Sequence, residues 1–432
     1  MSYLNRIDFE FLMKTQWWTQ EQLEELQLEA LQKILAHARK NCTFYKDLPV
    51  IRDIDDLKQV PILTKKHIHN SFEDLSAKNA EFIQKWTGGT SEQVVIRTNK
   101  NQIPFGWIQS RFHSWQPKGT WKRQAVIWGG GELHHVKPRR LTGNHLLFGQ
   151  HEVYQFPIEW MVNEQTTLDY LNTMKGFKPT SIRGYASSLR ALAYYAIKHN
   201  IKLPTLKCII NNCEPLSDDI RRIVREAFNV EIFDFFGSQD LGSMGGDCNK
   251  HEGLHMSMER YILEVMADGR LIWTDLMNYA MPLIRYENGD IGGLSDKTCS
   301  CNRGLRLLSK VVGRTLQYLW TKQGEWMNMT EINEAMYYDV PNYLKLIEAH
   351  QVQQDERGKI RLLLKAWDMK KLPDMSIIQK YFADRLDIEV AYVEEMARSK
   401  SGKQLACITK FRPPWLNKNE WELDGMEKRA DR

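Results

Sequence analysis

The sequence contains no run of about eighteen apolar residues, which excludes a helix long enough to span a bilayer. Its first residues, MSYLNRIDFEFLMKTQWW, carry acids and aromatics where a secretory leader needs an apolar core, so the expected location is cytoplasmic. Charge of one sign is also scarce: 59 Lys and Arg against 54 Asp and Glu leave a net charge of +5, and the basic residues are scattered. A nucleic-acid binder concentrates them in a stripe, so no nucleic-acid partner is expected. Cysteine is limited to seven residues, an odd number without a leader. That favours a reducing compartment, with thiols or metal ligands instead of a disulfide framework. What remains is ordinary: 42% hydrophobic and 11% aromatic residues make a globular chain, and 432 residues imply two to three domains.

The clearest helix runs from Thr19 to Cys42, with Leu23, Leu26, Ala30, Ile34 and Ala38 on one face and Thr19 as N-cap. Further on, Thr87-Gly88-Gly89-Thr90-Ser91-Glu92 lies between apolar segments. Small residues let backbone N–H groups approach an anion and the hydroxyls add donors, so this is a candidate phosphate loop. It lacks the Gly-Lys-Ser/Thr ending of a P-loop, and a plain Gly-Thr hairpin turn is the bland alternative. From Lys178 to Gly246 strands and helices alternate: strand 180–185, helix 187–199, strand 206–211, helix 216–228 and strand 230–236. This spacing implies a parallel sheet with ligand groups at strand C-terminal ends, where Cys213-Glu214-Pro215-Leu216 and Phe236-Gly237-Ser238-Gln239-Asp240 both fall. From Thr315 a small α+β module begins, in which Ser401-Gly402-Lys403 forms a turn able to project an ammonium outward or simply a solvated hairpin tip.

Residues 281–314, MPLIRYENGDIGGLSDKTCSCNRGLRLLSKVVGR, hold the densest chemistry. Asn288-Gly289-Asp290 reads as a tight turn that leaves a carboxylate at a strand end, and Arg314 closes the stretch. A fixed Asp and a fixed Arg suit a polyhydroxylated, anionic ligand, accepting from ribose hydroxyls and donating to ribose or phosphate oxygens. A hairpin with a solvated Arg is the alternative. Cys299 and Cys301, with Cys248, His251 and His255 upstream, make a Cys/His set suited to tetrahedral zinc; free thiols with surface histidines are the other reading.

Taken in order, these pieces resemble the adenylate-forming superfamily of acyl- and aryl-CoA ligases, adenylation domains and luciferases. The resemblance is nearer to the phenylacetate–CoA ligase branch, including its members found with capsular polysaccharide genes. Thr87-Gly88-Gly89-Thr90-Ser91 stands where that family has its phosphate loop. Cys213-Glu214-Pro215-Leu216 matches Gly-Glu-Pro-Leu, and Phe236 to Asp240 matches aromatic-Gly-x-x-Glu. Pro282 to Asp290 matches Pro-x-Ile-Arg-Tyr-Arg-x-Gly-Asp, Gly313-Arg314 the hinge Gly-Arg, and Gly402-Lys403 the Gly-Lys with the adenylation lysine. The chain departs from the pattern at Glu92, Gln93 and Val94 in the phosphate loop, at Asp240 for Glu, and at Leu316 for the hinge Asp.

The resemblance implies an α/β fold. A large N-terminal domain, 1–314, has mixed and parallel sheets flanked by helices; a small mobile α+β C-terminal domain, 315–432, carries the lysine. It implies ATP-dependent activation of a small carboxylic acid as an acyl or aryl adenylate, then transfer to CoA or to an amine or carrier-protein acceptor. Lys403, Asp240 and Thr90 would be catalytic. Thr87, Gly89, Thr90, Ser91, Glu214, Pro215, Phe236, Gly237, Asp240, Asp290 and Arg314 would hold ATP and Mg²⁺, and Tyr185 and Phe235 would wall the acid pocket. Structural Zn²⁺ would sit on Cys248, His255, Cys299 and Cys301, with His251 as substitute. The protein is expected to be a monomer or homodimer without a membrane span. The competing reading is a non-catalytic descendant, a nucleotide-binding or interaction protein that keeps the fold, for which Glu92 and Leu316 speak.

Overall fold

The computed structural model describes residues 3–86, 94–129, 138–145, 149–158, 161, 164–214, 216, 218–267, 269–312, 318–366, 368–397 and 406–411. The expected α/β class holds, and the chain forms two compact units. The first is built from Met1–Gly88, Val94–Lys118 and Phe233–Gly313; the second contains Gly119–Ile232 and Arg314–Arg432. Among the described residues no helix is long and apolar enough to cross a membrane.

In the first unit the helix Gln20–Asn41 starts where the sequence places it. Thr19 accepts from the Gln22 amide, and the Gln22 side chain accepts from the Thr19 amide, a reciprocal cap. Leu23, Leu26, Ala30, Ile34 and Ala38 are all buried, as the helical period requires. Gln27 on the same face donates to the Tyr261 carbonyl at 2.6 Å and so docks the helix on the sheet. That sheet is antiparallel, in the order Tyr261–Val265, Arg270–Asp275, Tyr286–Leu294, Leu307–Val312, Leu254–Met256, Gly242–Asp247 and the strand through Phe236. Two of the unit's ion pairs are the most deeply buried among the described residues. Glu259 accepts from Arg111 and Thr15, each at 2.5 Å, and Arg260 forks onto Asp275 at 2.8 and 3.2 Å. A buried charge persists only when paired in this way.

The second unit contains the parallel strands anticipated from the alternation: Cys208–Asn212, Ser181–Gly184, Arg123–Trp128 and Gly149–Pro157, with Arg139–His145 antiparallel at the edge. Ile182, Ile209 and Ile210 are fully buried, the reason these strands read as apolar runs without alternation. Helices Glu164–Phe177, Ala186–Lys198 and Asp218–Phe228 connect successive strands and supply the rest of this core. Residues 318–411 add a four-stranded mixed sheet, Asp387–Tyr392, Lys359–Ala366, Ile347–Glu356 and Cys407–Thr409, with a core of its own around Ile332, Leu362 and Phe382. Residues 343–346 make one helical turn after Asn342, whose φ is +58°.

Candidate nucleotide, acid and metal sites

Asp240 lies just past the strand Glu231–Ser238 and is only 6% exposed. Its carboxylate accepts from the Tyr286 hydroxyl at 2.9 Å and from the Leu241 amide at 3.2 Å. Tyr286 is fully buried, so this hydrogen bond fixes the carboxylate's direction from behind. The sequence gives Tyr286 only as part of a motif; its hydroxyl belongs to the site because the sheet brings it to a residue 46 positions away. Gly237 faces the Gly242 backbone so closely that a Cβ would lie 2.5 Å from the carbonyl oxygen, which excludes any side chain there. Phe236 packs its ring 6.0 Å from Trp273. Phe235 is 5% exposed and packs against Phe112 and His113 at 5.9 and 4.8 Å.

Asp290 corrects one detail of the sequence reading. Asn288-Gly289-Asp290 is not a turn between strands but a bulge inside the continuous strand Tyr286–Leu294, where pairing jumps from Glu287↔Ile272 to Ile291↔Arg270. Gly289 takes φ +90°, and Asn288 accepts from the Asp290 amide and donates to its carboxylate at 2.7 Å. A turn and a bulge use the same residues, for the same left-handed backbone, so the pattern cannot separate them. Arg285 points elsewhere. In left-handed backbone, φ +51°, it forks onto Glu264 at 2.8 and 2.9 Å and donates to the Val60 carbonyl. It ties the connector near residue 60 to the sheet.

In the second unit, Tyr185 is the N-cap of the helix Ala186–Lys198, its ring 5.1 Å from Trp128. Glu214 is 6% exposed, and its carbonyl accepts from the Asn211 amide group at 2.7 Å. Cys213, where the resembled motif has Gly, sits at φ +69°. Thr87, Gly89, Thr90, Ser91, Glu92, Pro215, Arg314, Leu316 and Lys403 lie outside the described residues.

The four expected metal ligands converge. Cys248 directly follows the strand Gly242–Asp247, His255 lies in the next strand, and Cys299 and Cys301 come from the loop between Tyr286–Leu294 and Leu307–Val312. Their ligand atoms all fall within 4.8 Å of one another. Cys248 and Cys299 sulfurs are 3.7 Å apart, and the Cys301 sulfur is 3.3 Å from His255 Nε2. A tetrahedron with Zn–S of about 2.3 Å and Zn–N of about 2.0 Å has edges of roughly 3.5–3.8 Å, so the donors fit such an ion. His255 Nδ1 faces the Leu305 carbonyl at 3.4 Å, which leaves Nε2 toward the sulfurs. Burial pushes His255 down to about 4, keeping the imidazole neutral, and raises the thiols of Cys248 and Cys299. His251, the substitute, is committed to Asp247 at 2.7 Å and stands outside the set. The surroundings were not apparent from the sequence. Trp115 packs 5.4 Å from His255, Arg303 lies 4.4 Å over Trp115, and both donate to Gln16, joining the N-terminal helices to the cluster.

No family model matches the chain. It is 22% identical over 419 residues to Protein CapK of Staphylococcus aureus, covering 90% of each. It is 24% identical over 325 residues to the phenylacetate-coenzyme A ligase of Thermus thermophilus, covering 68% of this chain and 71% of the ligase. Among solved structures, 2-hydroxyisobutyryl-CoA ligase with 2-HIB-AMP and CoA in its thioesterification state matches with a TM-score of 0.57 at 14% identity, over 90% of each chain. The open conformation of that ligase, with the same ligands, matches at 0.54 and 16%, over 89% of this chain and 91% of that one. At such identities the structural likeness speaks for the fold.

Proposed function

We propose that this chain, related in sequence to phenylacetate–CoA ligase and sharing the fold of an acyl-CoA ligase, is an adenylate-forming enzyme that activates a carboxylic acid with ATP and passes the acyl group to coenzyme A. A carboxylate resists acyl transfer because its leaving group would be oxide. Attack of a carboxylate oxygen on the α-phosphorus forms the acyl adenylate and expels pyrophosphate. Attack of the CoA thiolate on the acyl carbon then forms the thioester and breaks the bond to AMP. Both steps move charge among oxygens, so catalysis is chiefly electrostatic.

The observation that carries the reading is Asp240, a carboxylate held by Tyr286 and Leu241 and nearly sealed from solvent. We assign it to Mg²⁺, which when bound would neutralise the phosphate charge during displacement. Thr87, Gly89, Thr90 and Ser91 are assigned to the phosphates, Glu214, Pro215, Phe236 and Gly237 to the adenine, and Asp290 and Arg314 to the ribose. Asn288 orients the Asp290 carboxylate for that contact. Lys403, carried by the small domain 315–432, is assigned to the reacting oxygens. Cys248, His255, Cys299 and Cys301 are assigned one structural Zn²⁺. With all four positions filled by protein, it would cross-link the loop at 299–301 to the strands and leave no place for substrate.

Carboxylate-dependent exchange of labelled pyrophosphate into ATP, over a broad panel of acids, tests the assignment. Exchange is expected with the proper acid, reduced about 10²–10³-fold in Lys403→Ala with ATP affinity unchanged. ATP binding without exchange for any acid would favour the non-catalytic descendant.

A further inference from the structure

Three buried arginines of this protein each hold a carboxylate: Arg111 with Glu259 at 2.5 Å, Arg260 with Asp275 at 2.8 Å, and Arg285 with Glu264 at 2.8 Å. Arg183 does not. It lies in the central parallel strand Ser181–Gly184, and its Nε donates to Asn212 at 2.8 Å. Its guanidinium stands 5.0 Å from the Trp128 ring, which in turn is 5.1 Å from Tyr185. Among the described residues no carboxylate comes within 4 Å of it; the nearest titratable groups are the Cys213 thiol, which burial pushes up to about 12, and the Tyr185 phenol. Burial pushes its pKa down from the usual guanidinium value. Trp128, Arg183 and Asn212 sit at the C-terminal ends of three adjacent parallel strands, the place where open α/β sheets receive ligands.

Asn212 takes only Nε. The two Nη atoms have no hydrogen-bond acceptor among the described residues, and neither is sealed from solvent as Nε and Nη2 of Arg111 are. A planar fork with that end open matches a carboxylate in bidentate fashion. A half-buried guanidinium with that end open and no carboxylate of its own can take its counter-charge from a ligand. We propose that the acid activated by this protein carries a second, non-reacting carboxylate, which Arg183 binds while Trp128 and Tyr185 cover the flat part of the molecule between its two ends. This rests on the reading of the chain as an acid-activating enzyme. The reacting carboxylate is the poorer occupant. A fork gripping it would stabilise the charge that the α-phosphate attack must consume, so the contact would favour the ground state over the transition state.

The test uses matched pairs of mono- and dicarboxylic acids: benzoate and terephthalate, phenylacetate and 4-carboxyphenylacetate, cinnamate and 4-carboxycinnamate. Their affinities for the full-length protein are measured by calorimetry with wild type, Arg183→Gln and Arg183→Lys, alongside ATP affinity and melting temperature. Wild type should bind the dicarboxylate of at least one pair ten-fold or more tighter than its partner. Arg183→Gln should lose that ratio and Arg183→Lys keep part of it, while ATP affinity stays unchanged. The added dicarboxylate should raise the melting temperature of wild type and not of Arg183→Gln. Equal affinity within every pair, including no binding at all, or a preference that Arg183→Gln retains, overturns the proposal. Pyrophosphate exchange is read separately. A dicarboxylate preference lost in Arg183→Gln without exchange would sustain Arg183 as an anion site and count against the enzymatic reading. Exchange with monocarboxylates only would do the reverse.

Discussion

Removing the Tyr286 hydroxyl should loosen the carboxylate on which the proposed metal contact depends. The hydrogen bond is 2.9 Å long, Tyr286 is fully buried and Asp240 is 6% exposed, so water cannot replace the lost donor. A hydrogen bond to a charged group is worth ~1.5–3 kcal/mol, and among the described residues Tyr286→Phe leaves Asp240 with only the Leu241 amide at 3.2 Å. Urea unfolding of wild type, Tyr286→Phe, Asp240→Ala and the double variant isolates the pair. The single Tyr286→Phe change should cost about 2 kcal/mol, and the double variant little more than Asp240→Ala alone, for a coupling of ~1.5–3 kcal/mol. Tyr45→Phe is the control: it removes a buried hydroxyl that donates to the Pro282 carbonyl at 2.8 Å, a neutral bond worth ~1 kcal/mol. In pyrophosphate exchange, Tyr286→Phe should raise the Mg²⁺ concentration needed for half-maximal rate, and Tyr45→Phe should not. A coupling below about 0.5 kcal/mol, the additivity of independent sites, would refute the argument.

Native protein should contain about one zinc per chain, and Cys299→Ser/Cys301→Ser should lose it and melt earlier; elemental analysis finding no zinc in wild type sinks the site. Burial pushes Glu331 up to about 7 from 4.5, against the pull of Arg385 at 2.7 Å. The folded state therefore binds the extra proton between those values, and stability should fall as pH rises from about 5 to 7, by up to ~3 kcal/mol. Glu331→Gln should flatten that slope in denaturant unfolding at pH 5 and pH 8, and an unchanged slope would refute the assignment. Cys213→Gly should stabilise by about 1 kcal/mol, since a left-handed backbone is strained for a side chain with a Cβ; a lower melting temperature would contradict this.

The sequence by itself determined what local periodicity and motif chemistry can carry. The helix after Thr19 begins at its cap because Thr19 and Gln22 satisfy each other's amides within one turn. The strands at 181–184 and 208–212 and the helices at 186–198 and 218–228 follow from apolar runs and turn residues a few positions apart. The Cys/His cluster was legible for another reason: residue type singled out Cys248, His251, His255, Cys299 and Cys301, the family resemblance favoured four of them, and those four are the ones that converge.

Tertiary structure decided the rest. Whether Asn288-Gly289-Asp290 is a turn or a bulge depends on the pairing partner Arg270–Asp275, which no local pattern names. Arg285 and Arg183 are each followed by an aromatic or glycine residue in apolar surroundings and look alike in sequence. One meets Glu264 across the sheet and is spent on structure; the other meets Asn212 and keeps its fork open. Tyr286 and Asp240 are 46 positions apart, Cys248 and Cys299 51. Contacts at such separations are fixed by strand order and register, which arise from the burial of whole faces at once. The chain's local chemistry specifies which groups are available, and only the packed sheet specifies which of them meet.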